Sequence, residues 1–187
     1  MRSTLPLFAL ALAVSAPALA AEVVPVPPFR SVDLRGGGDV TLVPGPVQRV
    51  TILSGSSRFT HVYTHGDGQL RIDACNDQCP SRYNLQIRIE SPRAPDVAIF
   101  GGGSIVAASG FAPQGQLSAA VYGGGRIDVR AIEANSVSAA VNGGGKIFVR
   151  PRGTLSAAVR GGGDIRYSGN PRVSMAVSGG GDVRRVD

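Results

Sequence analysis

The chain has 187 residues, a length that suits one domain with a hydrophobic core. Nineteen Lys and Arg residues stand against thirteen Asp and Glu, which gives a formal net charge of +6. In a cytosolic protein this balance would favour nucleic-acid binding, but the first twenty residues argue against that class. No catalytic constellation stands out.

Residues 1–20, MRSTLPLFALALAVSAPALA, have the pattern of a secretory signal peptide. One positive charge, Arg2, precedes an apolar run, and small residues at Ala18 and Ala20 predict cleavage after Ala20. The run is too short, and too interrupted by proline, for a transmembrane helix, and no later stretch could span a bilayer. No cysteine lies near the cleavage site, so lipid anchoring is not predicted. The 167 remaining residues carry a net charge of +5, and we expect them in the periplasm, at the cell surface or secreted.

The segment 21–28, AEVVPVPP, is predicted to be an extended and loosely held lead. Strands with two-residue alternation follow in SVDLRGGGDVTLVPG, RVTILSG, THVYTHGDGQLRID and YNLQIRIESP. THGDGQL reads as a hairpin turn. We expect the strands between about residues 29 and 95 to begin the sheet and to cap its N-terminal end.

Two cysteines, Cys75 and Cys79, lie four residues apart in ACNDQCP. Export favours a disulfide between them. A zinc site is the alternative, because His61 and His65 have the same spacing and would share one face of a strand. The disulfide is the favoured interpretation, and we predict neither a metal nor a cofactor.

Glycine triplets recur through the rest of the chain and account for eighteen of its 26 glycines. Since each glycine costs roughly 0.5–1 kcal/mol relative to alanine in a regular element, the triplets need a geometric reason. We predict a sharp corner at which a Cβ would strike the neighbouring coil. The triplets begin at Gly36, Gly101, Gly123, Gly143, Gly161 and Gly179, and the last five place their middle glycines at Gly102, Gly124, Gly144, Gly162 and Gly180.

The residues beside each triplet alternate between apolar and polar side chains, as in a strand. In LSAAVYGGGRIDV the apolar set is Leu117, Ala119 and Val121, followed by Ile127 and Val129. Each unit therefore reads as strand, glycine corner, strand and turn, with turns at RPRGT and YSGNPR. Units of 18 to 22 residues predict an all-β, right-handed parallel β-solenoid. Parallel, in-register pairing is expected for residues 97–100, 118–122, 137–142, 155–160 and 173–178.

The opening FRSVDLRGGGDVTL and the serial GGGDI-type corners make residues 29–185 resemble the head GIN domain family. That family carries an auto-transporter adhesin label, and more of its members have Gly-Ser-Gly at these corners. The resemblance implies one β-helical domain over residues 29–185. No sorting signal or C-terminal barrel pattern is seen, so self-secretion is not predicted.

Two outward columns are candidates for contact with a partner. The residues before the triplets, Phe100, Tyr122, Asn142 and Arg160, form a ladder suited to glycan or anionic groups. The second column consists of alanines flanked by serines, which suits either a flat binding surface or packing by a second sheet or another copy. Its members are Ala98, Ala120, Ala140, Ala158 and Ala176, with Ser118, Ser138, Ser156 and Ser174.

One pair of carboxylates, Asp164 and Asp182, is expected one coil apart, which is the spacing that a glycan-cleaving enzyme would need. Stacked surface aspartates are the simpler interpretation. We therefore predict an exported, non-enzymatic binding or structural module of the cell envelope. Its expected partner is an anionic polysaccharide or another envelope component, and not nucleic acid. A glycan-active lyase or hydrolase is the alternative.

Overall fold

The computed structural model describes residues 21–76 and 78–186, and the predicted signal peptide lies outside them. The described residues form fifteen strands and no helix, so none of them belongs to a helix that could cross a membrane. The strands are β1 (Glu22–Val24), β2 (Ser31–Gly36), β3 (Asp39–Pro44), β4 (Arg49–Ser54), β5 (His61–His65), β6 (Gln69–Asp73), β7 (Gln86–Ser91), β8 (Asp96–Gly101), β9 (Ser104–Ala107), β10 (Gln114–Gly123), β11 (Arg126–Gly143), β12 (Lys146–Gly161), β13 (Asp164–Tyr167), β14 (Arg172–Ser178) and β15 (Asp182–Arg185).

All fifteen strands belong to one mixed sheet that nearly closes into a barrel-like shape. One run of parallel pairs joins β6, β2, β8, β10, β11, β12 and β14. A second run joins β7, β3, β9, β11, β12, β13 and β15. The long strands β11 and β12 take part in both runs. They therefore connect the two runs into a single sheet.

The predicted in-register pairing of the repeat strands is confirmed. Tyr122 pairs with Phe100 on one side and with Asn142 on the other, and Asn142 pairs with Arg160. The first glycines of successive triplets pair in the same way, from Gly36 through Gly101, Gly123 and Gly143 to Gly161. The glycine triplets therefore stack along one edge.

The residues predicted to face inward form the hydrophobic core. Leu117, Ala119 and Val121 are each at most 2% exposed, and Ile127 and Val129 are fully buried. Equivalent positions in the neighbouring repeats are buried in the same way, because two-residue alternation sends every second side chain to the same face. The last repeat differs, since Met175 is 57% exposed and Val177 is 44% exposed.

Strands β4, β5, β6 and β7 lie beyond β2 and β3, at the N-terminal end of the stack. The predicted hairpin is present as antiparallel β5 and β6, with positive φ at Gly66 and Gly68 in its turn. Strand β4 pairs antiparallel with β7 and with β1. The pairing of β1 with β4 holds part of the segment that was expected to be a loosely held lead. Residues Glu22–Val24 form a strand, and Ser57 N donates a 3.0 Å hydrogen bond to Glu22 Oε2.

The turn predicted at RPRGT is also wrong, whereas the chain does leave the strand at YSGNPR. Residues 150–154 continue β12, which runs unbroken from Lys146 to Gly161. The bend is absorbed instead by shifts of register between β11 and β12, at Asp128/Glu133 and at Ala134/Ser136. A bulge bends a strand while it keeps its pairing, so Pro and Gly do not interrupt this strand.

Candidate binding strip beside the glycine corner

The glycine corner is tight at the first position of the triplets that begin at Gly123, Gly143, Gly161 and Gly179. Gly123, Gly143 and Gly161 have φ between +111° and +129°, a region that L-residues with side chains rarely adopt. A Cβ on Gly143 would lie 2.6 Å from the carbonyl oxygen of Gly123, and a Cβ on Gly161 would lie 2.7 Å from that of Gly143. Both backbone conformation and space therefore require glycine here.

The third position of each triplet is constrained by space. A Cβ on Gly145 would lie 2.7 Å from the carbonyl oxygen of Gly125 and would overlap Cγ1 of the buried Val121. Gly163 meets the same obstacle from Val141. The third glycines therefore let the core side chains of the preceding coil pack under the corner.

The middle glycines, which the sequence suggested as the critical corner positions, are not the constrained ones. A Cβ on Gly124, Gly144, Gly162 or Gly180 would have no heavy atom within 4 Å, and on Gly102 it would only reach 3.7 Å from Gly36 O. The expectation that a side chain at Gly144 strikes the next coil is therefore wrong. The middle residue points into open space, while its backbone still holds the coils together. Gly144 N, for example, donates a 3.0 Å hydrogen bond to Gly123 O.

The strip consists of Phe100, Tyr122, Asn142 and Arg160, which precede four stacked triplets. Their in-register pairing places them side by side across four parallel strands, at the spacing of about 4.8 Å between neighbouring strands. Tyr122 is 47% exposed, Asn142 and Arg160 are exposed, and Phe100 is half-buried. The sequence-predicted residues therefore form one contiguous outward row.

The aromatic end of the strip differs from what the sequence suggested, because its ring faces are covered. The rings of Phe100 and Tyr122 stack with centroids 4.9 Å apart and planes 5° apart. On the other side of Phe100, the Arg35 guanidinium carbon lies 4.6 Å from the ring centroid. Both faces of Phe100 are thus occupied, so a flat ligand cannot stack on it. The ring edges, the Tyr122 hydroxyl and one face of Tyr122 are what the strip offers.

Arg35 is the member of this row that sequence reasoning missed. It precedes the first triplet and pairs in register with Phe100. Its position directly before Gly36 could therefore have placed it in the row. Its Nε is buried without a hydrogen-bond partner. Asp33, two residues earlier, is only 4% exposed, and burial raises its pKa against the opposing charges of Arg35 and Arg71. Arg35 therefore extends the row beyond the strip, as a cation held against the ring of Phe100.

The alanine column runs beside the strip on the same outward face of the sheet. Ala158 and Ala176 are exposed, and Ala98, Ala120 and Ala140 are half-buried. A shallow groove of about 500 Å³ crosses β10, β11, β12 and β14 before the alanine column. The flanking serines line it together with polar residues at its borders, namely Ser118, Ser138, Ser156, Ser174, Gln116, Ser136, Thr154 and Arg172.

The carboxylates of Asp164 and Asp182 are held in an ion-pair network. They belong to neighbouring strands and pair in register, as expected. Arg166, whose side chain is only 11% exposed, lies 3.2 Å from Asp164 and 3.1 Å from Asp182. Lys146 lies 3.8 Å from Asp164, which is the surface ion pair that the sequence suggested. This arrangement neutralises both carboxylates and is that of a stabilising charge ladder.

A second arginine–aromatic cluster, which sequence reasoning did not find, lies on the other run of strands. The guanidinium carbons of Arg126 and Arg130 lie 4.0 and 5.0 Å from the ring centroid of Phe148. Asp128 accepts hydrogen bonds of 2.6 and 2.8 Å from Arg130. Burial alone would raise the pKa of Asp128, but the hydrogen bonds and charge of Arg130, with the charge of Arg126, outweigh it and lower the pKa.

The two cysteines predicted as a disulfide pair lie within bonding distance, with an S–S separation of 2.12 Å. His61 and His65 lie on the same exposed face of β5, as their spacing suggested. Among residues 21–76 and 78–186, no group of three or more His, Cys, Asp or Glu side chains is placed to hold a metal ion. The oxidation state of the exported protein remains a prediction.

The part of the chain that holds most of the glycine-triplet repeats matches a known protein family. Residues 95–171, about two fifths of the chain, match the family described as "Putative auto-transporter adhesin, head GIN domain". No curated protein matches the chain.

Solved structures similar to this chain include a "putative adhesin" from Bacteroides fragilis NCTC 9343, with 18% identity, 89% of this chain and 96% of that chain covered, and a TM-score of 0.47. A "putative lipid binding protein" from Parabacteroides distasonis ATCC 8503 has 15% identity, covers 90% and 96% of the two chains, and has a TM-score of 0.41. A "putative adhesin" from Parabacteroides merdae ATCC 43184 has 16% identity, 90% and 96% coverage, and a TM-score of 0.42. The family match confirms the predicted resemblance to the head GIN domain family over residues 95–171.

Proposed function

We propose that the chain is an exported, non-enzymatic binding module of the cell envelope that holds an anionic polymer along the strip. In this proposal residues 1–20 are a cleaved signal peptide, residues 21–28 are a lead, and residues 29–185 form one right-handed β-solenoid domain. The adhesin label of the matched family supports a binding role in general terms. The choice of ligand depends on the strip.

The observation that carries the proposal is the in-register exposure of Tyr122, Asn142 and Arg160 beside the glycine corner. A phenol hydroxyl, a carboxamide and a guanidinium follow one another at the strand spacing. All three groups can donate hydrogen bonds, and a guanidinium can bind a carboxylate or phosphate through two of them. Such a row suits an extended chain that carries acidic groups.

The free middle glycines favour the approach of such a chain. A Cβ at Gly124, Gly144 or Gly162 would point into open space, so the surface next to the strip is bare backbone. A polymer lying across the coils would meet no side chain there. Because both faces of Phe100 are covered, the expected contacts are hydrogen bonds from the strip, with stacking limited to Tyr122.

Charge adds a long-range attraction to these contacts. The predicted mature chain has a net charge of +5, since removal of the signal peptide takes away Arg2 and no acidic residue. Such attraction is screened over about 8 Å at physiological salt, so binding should weaken as salt is added.

A glycan-active enzyme would have to use Asp164 and Asp182, and their contacts favour the non-enzymatic proposal. Both carboxylates are paired with Arg166. A glycosidase needs two carboxyl groups that face the substrate, whereas these two are engaged by the same guanidinium.

The test is binding of an acidic envelope polysaccharide to the exported protein and to the double variant Tyr122→Ala/Arg160→Ala. We expect salt-sensitive binding by the parent protein and a dissociation constant at least tenfold larger for the variant. A matched thermal unfolding measurement should show that the variant remains folded, since both residues are exposed. Equal affinity of the two proteins, or no binding of an acidic polysaccharide by either at low salt, would overturn the proposal.

A further inference from the structure

The last coil presents an open end. Within the described part of the chain, β14 pairs only with β12 and β15 pairs only with β13. Two inward-facing residues of β14 are therefore uncovered: Met175 is 57% exposed and Val177 is 44% exposed. The residues that pair with them in the preceding coil, Ala157 and Val159, are 3% and 1% exposed.

An open end of this kind exposes both the backbone of an edge strand and apolar side chains, which proteins normally cover. Backbone N–H and C=O groups on the edge of β14 that faces away from β12 can accept another strand, and the exposed apolar side chains of β14 would gain by leaving water. The N-terminal end is different, because β6 covers β2 and β7 covers β3, and further antiparallel strands follow on each side. The two ends of the molecule are thus not equivalent.

We propose that the last coil docks against the last coil of a second copy of this chain, through a two-fold axis perpendicular to the stack. Such an axis makes the two β14 strands antiparallel. When the pair is centred on Met175, each Val173 lies opposite Val177 of the second copy, and the two Met175 side chains meet. Every inward-facing residue of β14 then faces an apolar partner, which is the self-complementarity that a two-fold interface requires.

The charges of β15 also suit an antiparallel approach of a second copy. An antiparallel pair of β15 strands centred on Val183 sets Asp182 opposite Arg184 of the second copy, once on each side of the axis. Opposite charges placed directly across an antiparallel pair are favourable, and like charges are unfavourable. Asp182 lies 3.7 Å from Arg184 within its own chain, and its carboxylate is half exposed, so it remains accessible to a second arginine.

The alanine column is the competing surface for self-association. Its exposed members, Ala158 and Ala176, are small, and the flanking residues are serines. The last coil instead carries a methionine and a valine that would otherwise belong to the core. Burial of the larger apolar side chains gives the larger gain, at about 25 cal/mol per Å², and this favours the coil end.

Cysteine cross-linking tests the geometry directly. A residue on a two-fold axis meets its own copy, so Met175→Cys should form a disulfide-linked dimer under mild oxidation. Ala158→Cys, an exposed residue of the alanine column, is the matched control and should not. The native cysteines lie within bonding distance of each other and, paired as predicted, should not interfere. Cross-linking through position 158 and not through 175 would overturn the proposal in favour of the alanine column.

Sedimentation of charge variants tests the register. Arg184→Asp should weaken dimerisation at least tenfold, because it sets two acidic residues across the interface. The double change Asp182→Arg/Arg184→Asp exchanges both charges and should restore the dimer. A parent protein that remains monomeric up to millimolar concentration, or a double variant no better than Arg184→Asp, would contradict the proposal. These outcomes do not depend on whether the strip binds a polysaccharide.

Discussion

The three glycines of one triplet should respond very differently to the same substitution. We consider Gly143→Ala, Gly144→Ala and Gly145→Ala, which add one methyl group at successive positions of a single corner. The first and third positions are closed by the neighbouring coil, and the middle position is open. The sequence motif makes the three glycines look alike, so the comparison tests the geometry of the corner.

The expected magnitudes follow from the contacts. At Gly143 the backbone has φ of +126° and the new Cβ would lie 2.6 Å from Gly123 O, so about 1–3 kcal/mol of conformational strain adds to about 1–3 kcal/mol of overpacking. Gly145→Ala lacks the left-handed strain but overlaps the fully buried Val121, at a cost of about 1–3 kcal/mol. Gly144→Ala meets nothing and restricts the unfolded chain, so it should be neutral or stabilise by up to about 1 kcal/mol.

Urea unfolding followed by circular dichroism measures these differences. We expect the free energy of unfolding to fall most for Gly143→Ala, less for Gly145→Ala and not at all for Gly144→Ala, with unchanged dependence on urea concentration. Gly144→Pro is a further comparison, because it removes the N–H that donates to Gly123 O. Equal losses at all three positions, or the largest loss at Gly144, would refute this account of the corner.

Two further predictions concern Asp128 and the cysteines. Asp128→Asn should lower the free energy of unfolding by about 1–3 kcal/mol at pH 7, because Arg126 and Arg130 lose their half-buried anionic partner. The pKa of Asp128 is lowered in the folded protein, so its contribution to the free energy of unfolding is complete above the ordinary aspartate pKa and is lost as the pH falls through the folded pKa. The stabilities of the parent and the variant should therefore converge in strong acid. A difference in stability that grows with acidity would contradict the assignment. Thiol titration of the unreduced exported protein should find neither Cys75 nor Cys79 free, whereas two free thiols with stoichiometric zinc would favour the site with His61 and His65.

Two-residue alternation and the glycine period were sufficient to predict the repeat strands, their parallel register and their inward-facing side chains. Leu117, Ala119 and Val121 show why: the alternation fixes which face each residue occupies, and the period fixes which residues are neighbours. The same reasoning placed the strip residues in one row. What depended on periodicity could therefore be predicted.

Details that depend on local geometry could not be predicted in this way. The period cannot distinguish the three glycines of a triplet, and only backbone positions show that Gly144 is open while Gly143 and Gly145 are closed. Pro151 and Gly153 suggested a turn, but a shift of register keeps them in β12. The stacking of Arg35 on Phe100 joins residues 65 positions apart, across the variable segment that separates the first triplet from the others.

The central claim is that the strip, and not net charge alone, binds an anionic polymer. Arg160→Glu and Arg93→Glu change the net charge equally, and both arginines are exposed. Arg160 belongs to the strip, whereas Arg93 precedes β8 and lies at the end of that strand remote from Phe100.

The direct measurement is the dissociation constant for one acidic polysaccharide at low salt, for the parent protein and both variants. The account predicts at least tenfold weaker binding for Arg160→Glu, about 1.4 kcal/mol, and less than a threefold change for Arg93→Glu. Equal weakening by the two substitutions would mean that the whole surface attracts the polymer, and would contradict a binding site at the strip.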